Sequence, residues 1–359
     1  MVQYSLRRFI SAIPVIFGVL LVVFVLTRSI KGDPCTAILG EKATPEACAQ
    51  FMESKGLNEP LPIQFGIYLQ DLARGDLGES LQFGRPVVEI MLERMPLTVE
   101  LSLTALTFAL ILAIPIGIIS ASRRNSSFDV AAMVGANIGV SMPVFWLGLM
   151  LAYVFAVALK DTPFALPPSG RLSPGIVPDP FFEVYGWEIP ESGIVAGILT
   201  FISNMYILNA IISLDGEVFL DASRHMILPA LALMTIPLAI LARMTRSSML
   251  EVLGLDYIRT AKAKGLRHRT VVLKHAFRNA LLPIITIAGL QMGLILSGAV
   301  LTETIFGLAG VGRTVFEGIT ARDYPTIQGF VLVIAIGYVL LNLLVDLSYG
   351  ILDPRISLD

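Results

Sequence analysis

The sequence predicts an all-α membrane protein of about six transmembrane helices with large extracytoplasmic segments. Three observations carry this expectation. Of the 359 residues, 55% are hydrophobic and only 15% charged, with a mean hydropathy of +0.76; a soluble domain carries about a quarter charged residues. The deficit is concentrated in apolar runs of about the 20 residues needed to cross a bilayer. Lysine and arginine gather in a few of the connections between runs, as they do in cytoplasmic loops.

The first run, 9–26, follows Arg7 and Arg8. It is longer than the apolar core of a signal peptide, and Thr27-Arg28-Ser29 makes a poor cleavage site, so it is expected to remain as a membrane helix within a unit 1–30. An extracytoplasmic segment, 31–96, follows. Runs 97–119 and 131–159 give the second and third helices of a unit 97–159. Runs 226–249, 280–301 and 329–352 give helices four to six of a unit 226–352, with a cytoplasmic tail at 353–359. Pro115, Pro143, Pro229, Pro237 and Pro283 sit inside these runs; each lacks a backbone donor and tends to kink its helix.

A seventh run, 193–213, is decided by charge. Arg246, Arg259, Lys262, Lys264, Arg267, Arg269, Lys274 and Arg278 stand against only Glu251 and Asp256 in the loop 246–279, which places that loop in the cytoplasm. Arg7 and Arg8 put the N-terminus on the same side, and Arg123 and Arg124 do so for the second connection. Six spans satisfy all three, whereas seven put the N-terminus opposite the basic loop. The run is therefore expected outside, as an interfacial or lid helix in an insert 160–225 that carries Asp161, Asp179, Glu183, Glu188, Glu191, Asp215, Glu217 and Asp221. Cys35 and Cys48 share the first outer segment and are expected to pair in an oxidising compartment. Closing so short a loop stabilises by about 3 kcal/mol in the chain-entropy model.

Several chemistries lack their residues. A phosphate-binding loop needs a Gly-Lys pair, and the chain has none. His225, His268 and His275 form no zinc motif, no Gly-x-Ser-x-Gly elbow occurs, and a net charge of -2 argues against nucleic acid. Proton- and ion-coupled carriers need ionisable groups within their spans. Glu100, Arg243 and Glu303 lie near span ends, and Asp346, the one acid well inside a run, reads as a helix-packing or interfacial carboxylate. Energy for transport is thus expected from another subunit; a gradient-driven carrier or channel is the alternative.

The stretch from Asp256 to Leu266 spells a bounded two-turn helix. Asp256 is a candidate N-cap, Tyr257 to Lys264 favour helix, and Gly265 suits a left-handed stop. Lys262 and Lys264 lie where the helix dipole favours cations. Spacing alone leaves two readings open, a protein-docking helix and a basic loop that binds lipid headgroups.

Tyr257-Ile-Arg-Thr-Ala-Lys-Ala-Lys-Gly-Leu266 followed by His275-Ala-Phe-Arg-Asn-Ala-Leu-Leu-Pro283 resembles the coupling loop of binding-protein-dependent ABC transporter permeases. The likeness is greatest to the first permease subunit of the dipeptide/oligopeptide/nickel branch. Leu6-Arg7-Arg8, Gly32-Asp33-Pro34, Gly75-Asp76-Leu77-Gly78-Glu79-Ser80, the run 247–253, Glu303-Thr304-Ile305-Phe306, Arg322-Asp323-Tyr324-Pro325 and Asp353-Pro354-Arg355 extend it along the chain. Arg259-Thr260-Ala261 replaces the general Glu-Ala-Ala, and Gly265 lies further from Pro283 than the general pattern allows; both are features of the peptide branch. Gly307-Leu308-Ala309-Gly310 lacks a proline usual in relatives, and the insert 160–225 is long.

The resemblance implies a type I importer fold in the inner membrane, multi-pass, with both termini cytoplasmic. It implies a transport subunit rather than an enzyme. The implied partners are a second permease subunit, two cytoplasmic ATPases that carry ATP and magnesium, an extracytoplasmic solute-binding protein and the bilayer, with no cofactor or metal in this chain. Asp256, Tyr257, Arg259, Thr260, Ala261, Lys262, Ala263, Lys264 and Gly265 would dock the ATPase. Tyr257 and Thr260 would make contacts, and Arg259, Lys262 and Lys264 salt bridges. Peptides are the default substrate; nickel and oligosaccharides are alternatives.

Overall fold

The computed structural model describes residues 2–29, 35–36, 43–54, 56–190 and 193–352. Gly32-Asp33-Pro34 and the tail 353–359 lie outside them. Every long element is a helix. Helix α1 is Val2–Ser29, α2 Pro45–Ser54, α3 Leu61–Ala73, α4 Val87–Ser122, α5 Ser127–Ser141 and α6 Val144–Ala152, which runs on through a π-helical turn Tyr153–Ala158. Then come α7 Ile194–Ser203, α8 Tyr206–Ser213, α9 Gly216–Leu233, α10 Thr235–Leu253 and α11 Asp256–Ala263. The last four are α12 Phe277–Gly298, α13 Val300–Ile305, α14 Val311–Ala321 and α15 Tyr324–Leu352.

Four stretches are long and apolar enough to cross a membrane unbroken: 7–29, 87–122, 268–296 and 324–350. Three helix pairs qualify only together. The pair α5–α6 bends by 97°, α7–α8 by 94° and α9–α10 by 61°. The expected third and fourth spans therefore exist as broken helices. The first breaks before Pro143, and the second at Met234, three residues ahead of Pro237. Proline offers no N–H to the carbonyl four residues back, so the ladder is interrupted just ahead of each ring.

Contacts sort the helix ends into two groups. At one end, Arg246 forks onto Asp129 at 2.6 and 2.7 Å, and Ala121 packs with Met249 and Val252. Arg8 pairs with Asp346 at 2.7 Å, which makes Asp346 a helix-packing carboxylate, and Thr286 meets the Tyr349 hydroxyl at 2.6 Å. The start of α1 and the end of α15 thus share this end. At the other end, Asn204 donates to the Leu92 carbonyl and the Ile207 N–H donates to Glu100. Both bonds fall at the break of α7–α8, which is thereby tied to α4. The four unbroken stretches and the three bent pairs give between four and seven candidate spans, a range that includes the expected six.

The centre of the bundle is a regular apolar ridge. Leu97, Leu101, Ala105, Ala109 and Ala113 recur every fourth residue on α4 and are all buried against α9, α10 and α12. Alanine at this period lets helix backbones approach closely. Gly289 and Gly293 do the same for α12 and α15, because a Cβ at either position would collide with Val345 or Tyr338.

Segments far apart in sequence meet at the far end. The Asp323 carboxylate, fully buried, accepts from the Ser80 hydroxyl, from the Leu81 N–H at 3.0 Å, from the Gln82 N–H at 3.3 Å and from the Thr326 hydroxyl at 2.7 Å. Glu303, also buried, accepts from Thr98 at 2.6 Å and from the Arg313 N–H at 2.9 Å. Glu100 receives Arg171 at 3.2 Å, and the Arg171 guanidinium lies 3.6 Å from the Tyr206 ring centroid. Helix α3 rests on α1 through Phe65, whose ring is 5.0 Å from Phe24. Cys35 and Cys48 are disulfide-bonded, with Cα atoms 5.4 Å apart.

The Thr326 N–H also donates to Asp323 at 3.3 Å, so replacing Asp323 by alanine removes the acceptor of five hydrogen bonds and should cost about 3 kcal/mol. Thermal denaturation of the purified protein should show a lowered midpoint, and an unchanged midpoint would contradict this role. Alkylation before reduction should label neither Cys35 nor Cys48; labelling of both would exclude the bond.

Candidate functional site

The basic loop is shorter than its sequence suggests. Helix α10 runs to Leu253, and helix resumes at His268–Thr270, followed by a π-helical turn Val271–Ala276 that leads into α12. Arg246 therefore belongs to a span, where it is paired with Asp129 rather than free in the loop. Between 254 and 267 the chain forms one element, α11.

Asp256 is not the N-cap. Leu255 takes that place in an extended conformation, with no side-chain cap, and Asp256 is the first helical residue. Its exposed carboxylate lies 3.4 Å from Arg259, and it still favours the positive end of the helix dipole. So exposed a pair contributes little. The stop is as expected: Lys264 caps α11, and Gly265 has φ +73°. A Cβ at Gly265 would meet nothing within 4 Å, so only the backbone conformation calls for glycine there.

Two apolar side chains hold this helix. Ile258 is fully buried and Ala261 nearly so, in a cluster with Ala121 of α4, Met249 and Val252 of α10, and Val271, Val272, Ala276 and Ala280 of the stretch leading into and through the start of α12. Ala261 thus faces the bundle, not solvent. The Tyr257 hydroxyl donates to the His275 carbonyl at 3.3 Å and accepts from Asn279 at 2.9 Å. The rest of the helix is open. Asp256, Tyr257, Arg259, Thr260, Lys262, Ala263, Lys264 and Gly265 are exposed, as are Arg267, His268, Arg269, Lys274 and Arg278 around them. The result is an exposed basic surface with an aromatic flank on an apolar footing. Among the described residues no group of three His, Cys, Asp or Glu is arranged to hold a metal ion.

The model of the family described as "Binding-protein-dependent transport system inner membrane component" matches residues 113–358, and the model of its N-terminal component matches 1–104. The chain belongs to this family of binding-protein-dependent transport permeases. The dipeptide transport system permease protein DppB of Alkalihalophilus pseudofirmus is 46% identical over 99% of this chain and 100% of its own length. The protein of the same name in Escherichia coli K12 is 44% identical over 99% of both chains. The di/tripeptide transport system permease protein DppB of Pseudomonas aeruginosa is 43% identical over 99% of both.

Within this permease fold, the motifs quoted from the sequence find their places. Ser80 of the Gly-Asp-Leu-Gly-Glu-Ser motif meets Asp323 of Arg-Asp-Tyr-Pro. Glu303 joins α4 to α14. Met249 and Val252, from the run 247–253, form part of the cluster under α11. Sequence reasoning missed Ile258 as the anchor. The available signal was two apolar residues, Ile258 and Ala261, three apart in an otherwise polar helix.

Ile258→Ala empties part of the cluster and should loosen α11 by about 2 kcal/mol or more. Hydrogen exchange of the 256–263 amides should then accelerate at least about tenfold, and an unchanged rate would mean that the helix is held elsewhere.

Proposed function

We propose that this chain is the first of two membrane-spanning permease subunits in an ATP-driven importer of di- and oligopeptides. Its relatives over nearly the full length are named for dipeptides and di/tripeptides. The observation that carries the coupling mechanism is α11, an exposed basic helix with Ile258 and Ala261 sunk among α4, α10 and the start of α12.

The unit comprises a second permease, two cytoplasmic ATPases that bind ATP and magnesium, and an extracytoplasmic solute-binding protein. Asp256, Tyr257, Arg259, Thr260, Lys262, Ala263, Lys264 and Gly265 form the docking surface, with Arg259, Lys262 and Lys264 facing carboxylates of the ATPase. ATP closes the ATPase pair and draws the two docking helices together. Because α11 is seated on three spans, its displacement tilts them. The bundle shifts from inward-open to outward-open, and hydrolysis resets it. The ATPase drives this shift by binding the two states differently. By the distribution of basic residues, the end bearing α11, the start of α1 and the end of α15 is cytoplasmic. The insert 160–225 and the disulfide then lie outside.

Gly265→Val forces a β-branched residue into left-handed backbone at about 1–2 kcal/mol, or drives the helix onward. Either outcome re-aims the docking surface while the spans stay folded. Uptake and ligand-stimulated ATP hydrolysis in proteoliposomes should fall strongly at equal expression, and parental values for both would refute the docking assignment. Lys262→Ala and Lys264→Ala should each do less, since exposed ion pairs are worth under about 1 kcal/mol. For orientation, Ile198→Cys should react with an impermeant thiol reagent only from outside and Lys262→Cys only from inside; the reverse pattern would invert the topology.

A further inference from the structure

The two broken spans open onto one cavity. It has a volume of about 470 Å³, and its lining includes Pro143 at the α5–α6 break, Pro237 beyond the α9–α10 break, Gln291 and Ile295 of α12, and Thr302 of α13. Backbone interrupted at membrane depth is tolerated where protein buries it or where it lines a water-filled passage. Both breaks face the same space here, and Leu233, which also lines it, has a carbonyl that Pro237 cannot serve.

Gln291 is buried, and its amide bonds to no other described residue. An amide offers two donors and an acceptor and is costly to bury unused. Among the described residues no charged side chain lines the cavity. The chemistry on offer is therefore amide and hydroxyl groups set in an apolar wall. That matches a peptide backbone carrying variable side chains, and it offers a metal cation no anionic, imidazole or thiolate ligand. Phe145, also in the lining, and Leu301 are exposed at 45% and 57%, so the cavity opens on the flank of the bundle, where a second permease subunit would complete it.

We propose that this cavity holds the peptide in transit, and that the Gln291 amide hydrogen-bonds its backbone and sets tolerance for its charge. The proposal rests on the reading of the chain as a peptide permease.

The test uses the whole complex with its binding protein in proteoliposomes, supplied with radiolabelled alanyl-lysine or alanyl-glutamate. Gln291→Leu should lower initial uptake of both about tenfold. Gln291→Glu should raise the ratio of alanyl-lysine to alanyl-glutamate uptake about fivefold or more, and Gln291→Lys should lower it by as much. A residue that merely packs the bundle would affect both peptides alike. A ratio unchanged in both charged variants, in a parent that imports dipeptides, overturns the proposal. Separately, Gln291→Cys should react with a small charged thiol reagent when the complex is trapped with ATP and vanadate. Labelling there, in a complex whose parent imports no dipeptide, would overturn the peptide reading and leave the cavity as the path. An unlabelled position would remove the cavity from the path.

Discussion

A two-turn helix has too few internal hydrogen bonds to hold itself in water. Helix α11 persists because Ile258 and Ala261 sink into an apolar cluster built by α4, α10 and the stretch through the start of α12. That packing gives the loop a definite surface. Without it, the basic residues around α11 would be a mobile lipid-attracting patch. With it, the exposed residues of α11 keep fixed relative positions and move together with three spans. Packed interiors transmit displacement because they resist compression. The function proposed for this chain depends on that stiffness.

The far end obeys a different constraint. There the chain is irregular, and its polar groups must be satisfied without long helices. Three buried carboxylates do much of this. Asp323 gathers the turn after Ser80, Glu303 joins α4 to α14, and Glu100 takes the first amides of α8 and the Arg171 guanidinium. An acceptor-only group with several lone pairs can collect donors from different segments, which is why acids serve here although none of them faces a cation in open solvent.

The fold was largely legible in the sequence. Apolar runs mark candidate spans, and the runs recur as four unbroken helices and three bent pairs. The breaks at Pro143 and near Pro237 were legible only as kinks, because a proline in a span does not say whether neighbours will restore the helix or leave it open. The cap at Asp256 was misplaced by one residue, since Leu255 already adopts the extended conformation of a cap and nothing in its side chain advertises it. Arg246 was counted with the loop because its partner, Asp129, lies 117 positions away. The pairs Ser80–Asp323 and Thr98–Glu303 were equally hidden. Single-chain patterns reveal periodicity within an element and carry little about which distant carboxylate meets which donor.

The most direct test of the account is where α11 docks. A photo-crosslinking residue substituted for Lys262 points from the exposed face of the helix without disturbing Ile258 or Ala261. On irradiation of the assembled complex in membranes, it should form an adduct with the ATPase subunit, and nucleotide trapping should change its yield. Adducts with lipid alone, in a complex that still contains the ATPase, would contradict the docking role and return the basic surface to a purely lipid-facing one.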